Sequence, residues 1–134
     1  MIALDIFATA VSNANAKAYV KNKIDGVDLI PFLSGQNTTL PHDLLYWKNP
    51  VKDIDVVRGE KFKYLRIRNE EYVFDLKNDV SEQNNVLELH RDIYNDLKIC
   101  FKEWGKGMIP PIFLGLSMGK EYDTLNPNRW GNKN

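Results

Sequence analysis

The sequence predicts an α+β fold, in which an antiparallel sheet of about four strands packs against one long C-terminal helix. Four short runs rich in β-branched and aromatic residues follow one another between Leu44 and Leu76, with turn residues between them. Apolar residues then recur at intervals of three and four between His90 and Trp104, which is the spacing of an amphipathic helix. A helix and a connecting segment are predicted to precede the sheet.

The first predicted element is an amphipathic helix that begins within a few residues of Met1. Its apolar face is expected to contain Ile2, Ile6, Ala10 and Val11. The stretch is not expected to be a signal peptide, because it lacks a basic beginning and Asp5 interrupts its apolar run. A tight turn at Asp25-Gly26 then leads into the connecting segment.

The predicted strands are LLYWK, IDVV, KFKYLRIR and EEYVFDL. The third run alternates two sets of side chains, which are Phe62, Tyr64 and Arg66 on one face and Lys63, Leu65 and Ile67 on the other. Neither set is wholly polar, so one face is expected to lie under the long helix. The apolar stripe of that helix is Ile93, Leu97, Cys100, Phe101 and Trp104.

The joint between the last strand and the helix has a pattern of its own. Asp79 stands three residues before Glu82, the spacing of a capping box in which each side chain bonds to the backbone of the other residue. Asn84 and Asn85 are expected to hydrogen-bond nearby backbone before the helix starts. On this interpretation, the composition of the segment has a structural explanation and needs no catalytic or binding role.

The composition excludes several classes of function. Eighteen basic and eighteen acidic residues cancel without concentrating either sign, which argues against nucleic acid and anionic membranes as partners. Cys100 is the single cysteine, so an internal disulfide and a multi-cysteine metal site are excluded. No apolar run approaches the roughly 20 residues of a membrane span. The sequence does not determine the localisation, and the absence of a predicted signal peptide favours the cytoplasm.

Two series of motifs occur in a fixed order along the chain. The upstream series, Asp-Ile-x-x-Thr and Asp-Gly-x-x-Leu-x-Pro-x-Leu-x-Gly, is formed by Asp5, Ile6, Thr9, Asp25, Gly26, Leu29, Pro31, Leu33 and Gly35. The closing series is formed by Val57, Arg58, Phe62, Lys63, Tyr64, Val73, Phe74, Asp75, Leu76, Asp79, Glu82 and Asn85. Together they resemble the C-terminal region of type I, formylglycine-dependent sulfatases of the alkaline phosphatase superfamily. Two prolines common in that family are replaced here, by Ala8 and by Val80.

The resemblance implies a division of the chain into three parts. Residues 1–43 would correspond to a helix and connecting segment of the family's α/β catalytic domain, residues 44–107 to its C-terminal sheet-plus-helix subdomain, and residues 108–134 to a tail packed on the surface. Formylglycine, made in a Cys/Ser-x-Pro-x-Arg motif, and calcium belong to the catalytic domain. This chain contains no such motif, so no catalytic residue, metal ligand or cofactor is expected in it.

Some residues of the closing series are expected to be structural, namely Arg58, Lys63, Asp75, Asp79, Glu82 and Asn85. An ion pair of Arg58 or Lys63 with Asp75 or Glu82 is anticipated. The candidates for lining a substrate pocket are His42, Asp43, Tyr46 and Trp47. The resemblance puts the loop of the first two near the mouth of the active site, and the two aromatic rings could stack on a sugar. Ordinary loop and core-packing roles remain open for all four.

The first functional hypothesis is a C-terminal fragment or subdomain of a sulfatase, a sulfuric ester hydrolase. It would have a structural or pocket-lining role and be inactive alone, and the family is often periplasmic or exported. Its expected partner is the sulfatase catalytic domain, or a second copy joined through exposed apolar residues, among them Leu4, Ile6, Phe7, Phe113 and Leu114. A sulfated glycan is a further candidate ligand. The alternatives are a stand-alone glycan- or protein-binding module and a truncated gene product.

Overall fold

The computed structural model describes residues 1–16, 19 and 21–109. The chain divides into two compact units, Met1–Asp43 and Leu44–Asn134, which are called the first and second unit below. Within the described ranges, no helix is long and apolar enough to cross a membrane. From residue 110 onward, the predicted surface tail lies outside the described residues.

The first unit contains two helices, α1 over Ala3–Asn13 and α2 over Ile30–Leu33. The buried side chains of α1 are Asp5, Ala8 and Val11. The apolar face predicted from the sequence is therefore wrong in part, since Ile6 and Ala10 are exposed. The cause is Asp5, whose carboxylate faces inward to accept hydrogen bonds and so turns a different side of the helix toward the core.

Gly26 lies directly against the backbone of α1. A Cβ atom at this position would stand 2.2 Å from the carbonyl oxygen of Leu4, which leaves no room for any side chain. Two hydrogen bonds join the connecting segment to the helix, from Val27 N to Asp5 Oδ1 at 3.1 Å and from Leu29 N to Thr9 Oγ1 at 3.0 Å. The glycine of the predicted Asp25-Gly26 turn is therefore explained by its close packing against α1.

The second unit is an open sheet with one long helix. Its elements are β1 over Leu45–Asn49, β2 over Ile54–Arg58, β3 over Phe62–Ile67, β4 over Glu70–Asp75 and α3 over Arg91–Gly105. The strands lie in the order β1-β2-β3-β4, and every neighbouring pair is antiparallel. This architecture confirms the α+β fold, with its four-stranded sheet and its preceding helix.

Both faces of the sheet carry apolar clusters. On one face Val57 and Tyr64 pack with Leu97 of α3, which confirms that the helix covers this side. Residues packed around them are Leu44, Tyr46, Phe62, Ile93, Tyr94 and Phe101. The opposite face carries the buried side chains of Leu65, Ile67 and Phe74. The run KFKYLRIR has apolar residues on both faces because each face of β3 packs in an apolar cluster of its own.

The segment between β4 and α3 does not form the predicted capping box. The Glu82 carboxylate accepts a 2.6 Å hydrogen bond from Lys63 Nζ, so it does not reach back to residue 79. Asp79 Oδ2 instead accepts the backbone amide of Asn84 at 2.7 Å and stabilises a turn without a helix. Glu82 itself has a φ of 55°, a left-handed conformation that a helical turn excludes.

Asn85 joins this segment to the outer strand of the sheet. Its Oδ1 accepts the amide of Val73 at 3.0 Å, and its Nδ2 donates to the carbonyl of Glu71 at 3.3 Å. Next to it, Val86 N donates to the carbonyl of Val73 at 2.8 Å. The expectation that Asn85 bonds to nearby backbone is confirmed, and both backbone groups of Val73 are occupied along this edge.

The outward side of α1 should drive self-association. Leu4, Ile6 and Phe7 are 55%, 67% and 57% exposed, which is unusual for three apolar side chains so close in sequence. Light scattering should therefore show a molecular mass that rises with protein concentration, and Phe7→Lys should reduce that rise. A strict monomer at high concentration would contradict this prediction. The other predicted members of the surface, Phe113 and Leu114, lie outside the described residues.

Candidate functional site

The first unit brings His42 and Asp5 together. His42 Nε2 lies 2.8 Å from Asp5 Oδ1, and the side chains are 13% and 0% exposed, respectively. The carboxylate also accepts the amide of Ile2 on Oδ2 at 2.8 Å and the amide of Val27 on Oδ1 at 3.1 Å. One buried carboxylate thus fixes the start of α1, the connecting segment and the loop that carries His42.

Asp5 is ionised in this environment. Burial alone would raise the pKa of its carboxyl group, but hydrogen bonds from Ile2, Val27 and His42 outweigh burial and lower the pKa. An ionised carboxylate can only accept hydrogen bonds, so His42 must be the donor in the pair. The sequence contained a signal for this role, because Asp5 is a charged residue inside an otherwise apolar helical run.

The other three pocket-lining candidates have separate environments. Asp43 is exposed. Tyr46 stacks on Trp104 of α3, with ring centroids 5.0 Å apart and planes at 10°, so its ring is part of the packing on the helix side. Trp47 points to the opposite face of the sheet by the alternation of the strand and is 45% exposed. The two neighbouring rings therefore cannot clamp one sugar between them.

The residues of the closing series make structural contacts. The anticipated ion pair is present between Lys63 and Glu82, which are 19% and 24% exposed. Asp75 accepts the amide of Lys77 at 3.1 Å and the side-chain amide of Asn78 at 2.6 Å, so it forms a turn after β4. Arg58 is exposed at the end of β2, where it pairs in register with Leu45 and Lys63.

Glu71 is the centre of a polar network that the sequence analysis did not identify. Its carboxylate accepts hydrogen bonds from the hydroxyls of Tyr64, at 2.9 Å, and Tyr94, and it pairs with Lys98 Nζ at 2.9 Å. Burial would raise the pKa of Glu71, but these three donors lower it, while burial and this carboxylate raise the pKa of Tyr64. The available signal was a charged residue on the helix-facing side of a strand.

Arg66 is a second residue that the sequence analysis did not single out for this role. Its guanidinium donates to Asp53 Oδ1 at 2.7 Å and to Asp55 Oδ2, and it also reaches the carbonyl of Arg68 at 2.8 Å. The hydrogen bond to Asp53 is the main reason why the pKa of Arg66 is raised. Asp53 and Arg68 both have positive φ values, of 52° and 55°, so the guanidinium holds two strained turns together.

The surface of the described residues has two shallow grooves. In the first unit a groove of about 560 Å³ is lined by Leu4, Phe7, Tyr19 and residues 21–26. In the second unit a groove of about 460 Å³ is lined by Ile54, Lys63, Leu65, Ile67, Val80, Ser81 and Glu82. Among the residues that the structure describes, no group of three or more His, Cys, Asp or Glu side chains could hold a metal ion.

Several solved structures share the fold described above. A Bacteroides thetaiotaomicron sulfatase, described with the metabolism of multiple glycosaminoglycans, has 17% identity and a TM-score of 0.63 over 76% of this chain and 24% of its own. A 2-O glycosaminoglycan sulfatase has 21% identity and a TM-score of 0.61 over 76% and 24%. The protein Ps i-CgsB, in complex with k-i-k-neocarrahexaose, has 19% identity and a TM-score of 0.65 over 92% and 28%.

The fold is that of a sulfatase C-terminal subdomain. The resemblance drawn from the ordered motifs is thereby confirmed at the level of the fold. This chain spans about a quarter of the length of the structures that it matches. No protein-family model and no curated protein matches it.

Within this sulfatase fold the closing motif series has a clear place. Lys63 and Glu82 connect β3 to the segment after β4, and Asn85 attaches the same segment to the outer strand. These residues determine how the chain turns from the sheet into α3. Lys63, Glu82 and Asn85 thus have structural roles in the second unit. Among the described residues, the histidine that is held by a buried carboxylate is His42, in the first unit.

Proposed function

We propose that this chain serves as the C-terminal fragment or subdomain of a sulfatase, a sulfuric ester hydrolase. The observation that carries the proposal is the match of 76% of this chain to 24% of each of two sulfatase structures. Its role would be to support the substrate pocket and to line part of it. The expected partner is a sulfatase α/β catalytic domain, and the expected substrate class is a sulfated glycan.

The proposed role does not include hydrolysis by the chain alone. Cleavage of a sulfate ester requires a strong oxygen nucleophile and a cation that neutralises the sulfate. The sequence holds no Cys/Ser-x-Pro-x-Arg motif, since Cys100 is followed by Phe-Lys-Glu and lies half-buried on α3. In the proposal, formylglycine and calcium belong to the catalytic domain.

An aryl sulfate assay tests this proposal directly. The purified chain, incubated with an aryl sulfate and calcium, is expected to release no more phenol than buffer does, because it supplies no nucleophile. His42→Ala serves as the control for a contaminating hydrolase, since both preparations would carry the same contaminant. Turnover that follows the purified chain and disappears in His42→Ala would contradict the claim of inactivity.

One observation favours a second candidate, a stand-alone glycan-binding module. Trp47 is 45% exposed on a sheet face, and an exposed indole is a common platform for a sugar ring. Tyr46 does not share this surface, because it stacks on Trp104. A module of this kind would therefore depend on one ring rather than on two.

Tryptophan fluorescence distinguishes the two candidates. If the module exists, adding sulfated oligosaccharides should change the emission of the wild-type chain, and Trp47→Phe should abolish the change. Trp104 stays in both proteins and serves as the internal reference. A flat titration of the wild-type chain would remove this candidate and leave the subdomain proposal intact.

A further inference from the structure

The hydrogen bond between Asp5 and His42 determines which nitrogen of the imidazole carries the proton. Asp5 Oδ1 lies 2.8 Å from Nε2, and Asp5 is ionised and fully buried. The carboxylate cannot donate, so Nε2 must carry hydrogen in every charge state of the ring. A neutral His42 consequently has an unprotonated Nδ1.

Within the described part of the chain, Nδ1 is the nitrogen of His42 that remains for a ligand. No buried side-chain nitrogen or oxygen among the described residues lacks a hydrogen-bond partner, and the hydrogen bond of this ring is made by Nε2. His42 retains 13% of its side-chain exposure, and it lies in the loop that follows the connecting segment. The pair therefore resembles the carboxylate-oriented imidazoles of catalytic sites, in which one ring nitrogen is fixed and the other faces the substrate.

We propose that His42 is a ligand-binding residue whose Nδ1 accepts a hydrogen bond from a carbohydrate hydroxyl, with Asp5 as its positioning residue. The choice of a carbohydrate rests on the proposed function. The direction of the hydrogen bond, from the hydroxyl to Nδ1, rests on the structure alone. It follows from the fixed position of the proton on Nε2.

The charge of the pair favours a hydroxyl over a sulfate group. With neutral His42 the pair carries the negative charge of Asp5, which repels an anion. A hydroxyl can donate to Nδ1 without meeting that repulsion. The pair would thus select for an unsulfated position of a sulfated sugar.

Nuclear magnetic resonance of the full chain, labelled with ¹⁵N in the histidine rings, tests the first step. The chain has two histidines, so His90 serves as the reference within the same sample. The expected result is a slowly exchanging Nε2 proton for His42 and, in the neutral form of the ring, an unprotonated Nδ1. A neutral ring with its proton on Nδ1 would overturn the proposal, and this result does not depend on whether the chain belongs to a sulfatase.

Addition of galactose and, separately, of sodium sulfate tests the ligand class. Galactose should shift the Nδ1 signal of His42 and leave that of His90 unchanged, whereas sulfate should shift neither. A His42→Gln variant supplies the matched control, because its side-chain amide can still donate to Asp5 but has no Nδ1. Retained galactose binding in His42→Gln, a response to sulfate alone, or no response to galactose would each overturn the assignment.

Discussion

Replacing Tyr64 by alanine should cost about 3 to 5 kcal/mol of the unfolding free energy of the second unit. Tyr64 is 2% exposed in the centre of β3, where it packs with Val57 and Leu97. Truncation would leave a cavity between the sheet and α3, and it would also remove a hydroxyl donor from Glu71. Urea unfolding followed by tryptophan fluorescence measures the loss, because Trp104 reports on the packing of α3.

Tyr64→Phe separates the ring from the hydroxyl. The ring would still fill its place, and Glu71 would keep Tyr94 and Lys98 as partners, so the expected loss is about 1 kcal/mol. Equal losses for alanine and phenylalanine would show that the polar network, and not the packing, stabilises this core. A loss below about 1 kcal/mol for Tyr64→Ala would contradict the prediction altogether.

Replacing Asp5 by alanine should destabilise the first unit by roughly 3 to 5 kcal/mol, because it leaves three hydrogen-bond donors without their acceptor. These donors are the amides of Ile2 and Val27 and the imidazole of His42. The described tryptophans, Trp47 and Trp104, lie in the second unit, so the change is best measured within the first unit itself. Hydrogen exchange of the Val27 amide reports the destabilisation, and its rate should increase strongly.

Two further variants define the cause of the Asp5 effect. Asp5→Asn keeps the volume but must present its amide group to a donor, so it should lose about 2 kcal/mol. Asp43→Asn removes a charge from an exposed position of the same unit and should change stability by less than about 0.5 kcal/mol. If Asp43→Asn were as damaging as Asp5→Asn, the loss would reflect net charge and not the buried hydrogen bonds.

The same carboxylate makes the first unit sensitive to acid. The pKa of Asp5 is lowered from its ordinary value of 3.8, because its hydrogen bonds outweigh the effect of burial. A lowered pKa in the folded state contributes stability that is present above 3.8 and is lost as the pH falls through the folded value. Protection of the Val27 amide should therefore decrease at acidic pH in the wild-type chain.

The strands and the long helix could be predicted from the sequence because local pattern and tertiary structure agree there. EEYVFDL alternates and forms β4, and the stripe between His90 and Trp104 appears as α3. The mixed faces of β3 were also informative, since they predicted that one face lies under the long helix, and Tyr64 does pack with Leu97 of α3. In these segments a side chain's preferred conformation and its burial point to the same element.

The errors arose where a tertiary contact overrode a local pattern. Glu82 has the spacing for a capping box, but Lys63 on β3 takes its carboxylate. The face of α1 followed apolar spacing in the prediction, whereas the buried carboxylate of Asp5 sets it in the structure. The partnership of Asp5 with His42 joins residues 37 positions apart, and no local pattern could reveal it.

The contacts of Asn85 and Val86 limit how this sheet can grow. Both backbone groups of Val73 on β4 are already in use, by Asn85 Oδ1 and by Val86 N, so a strand from another chain cannot pair at this point. Repeated edge-to-edge addition needs two open edges on every molecule. Among the described strands, pairing between copies would have to use β1 on both, and such pairing ends with two molecules. The segment that carries Asn85 and Val86 therefore opposes the growth of fibres through the edge of β4.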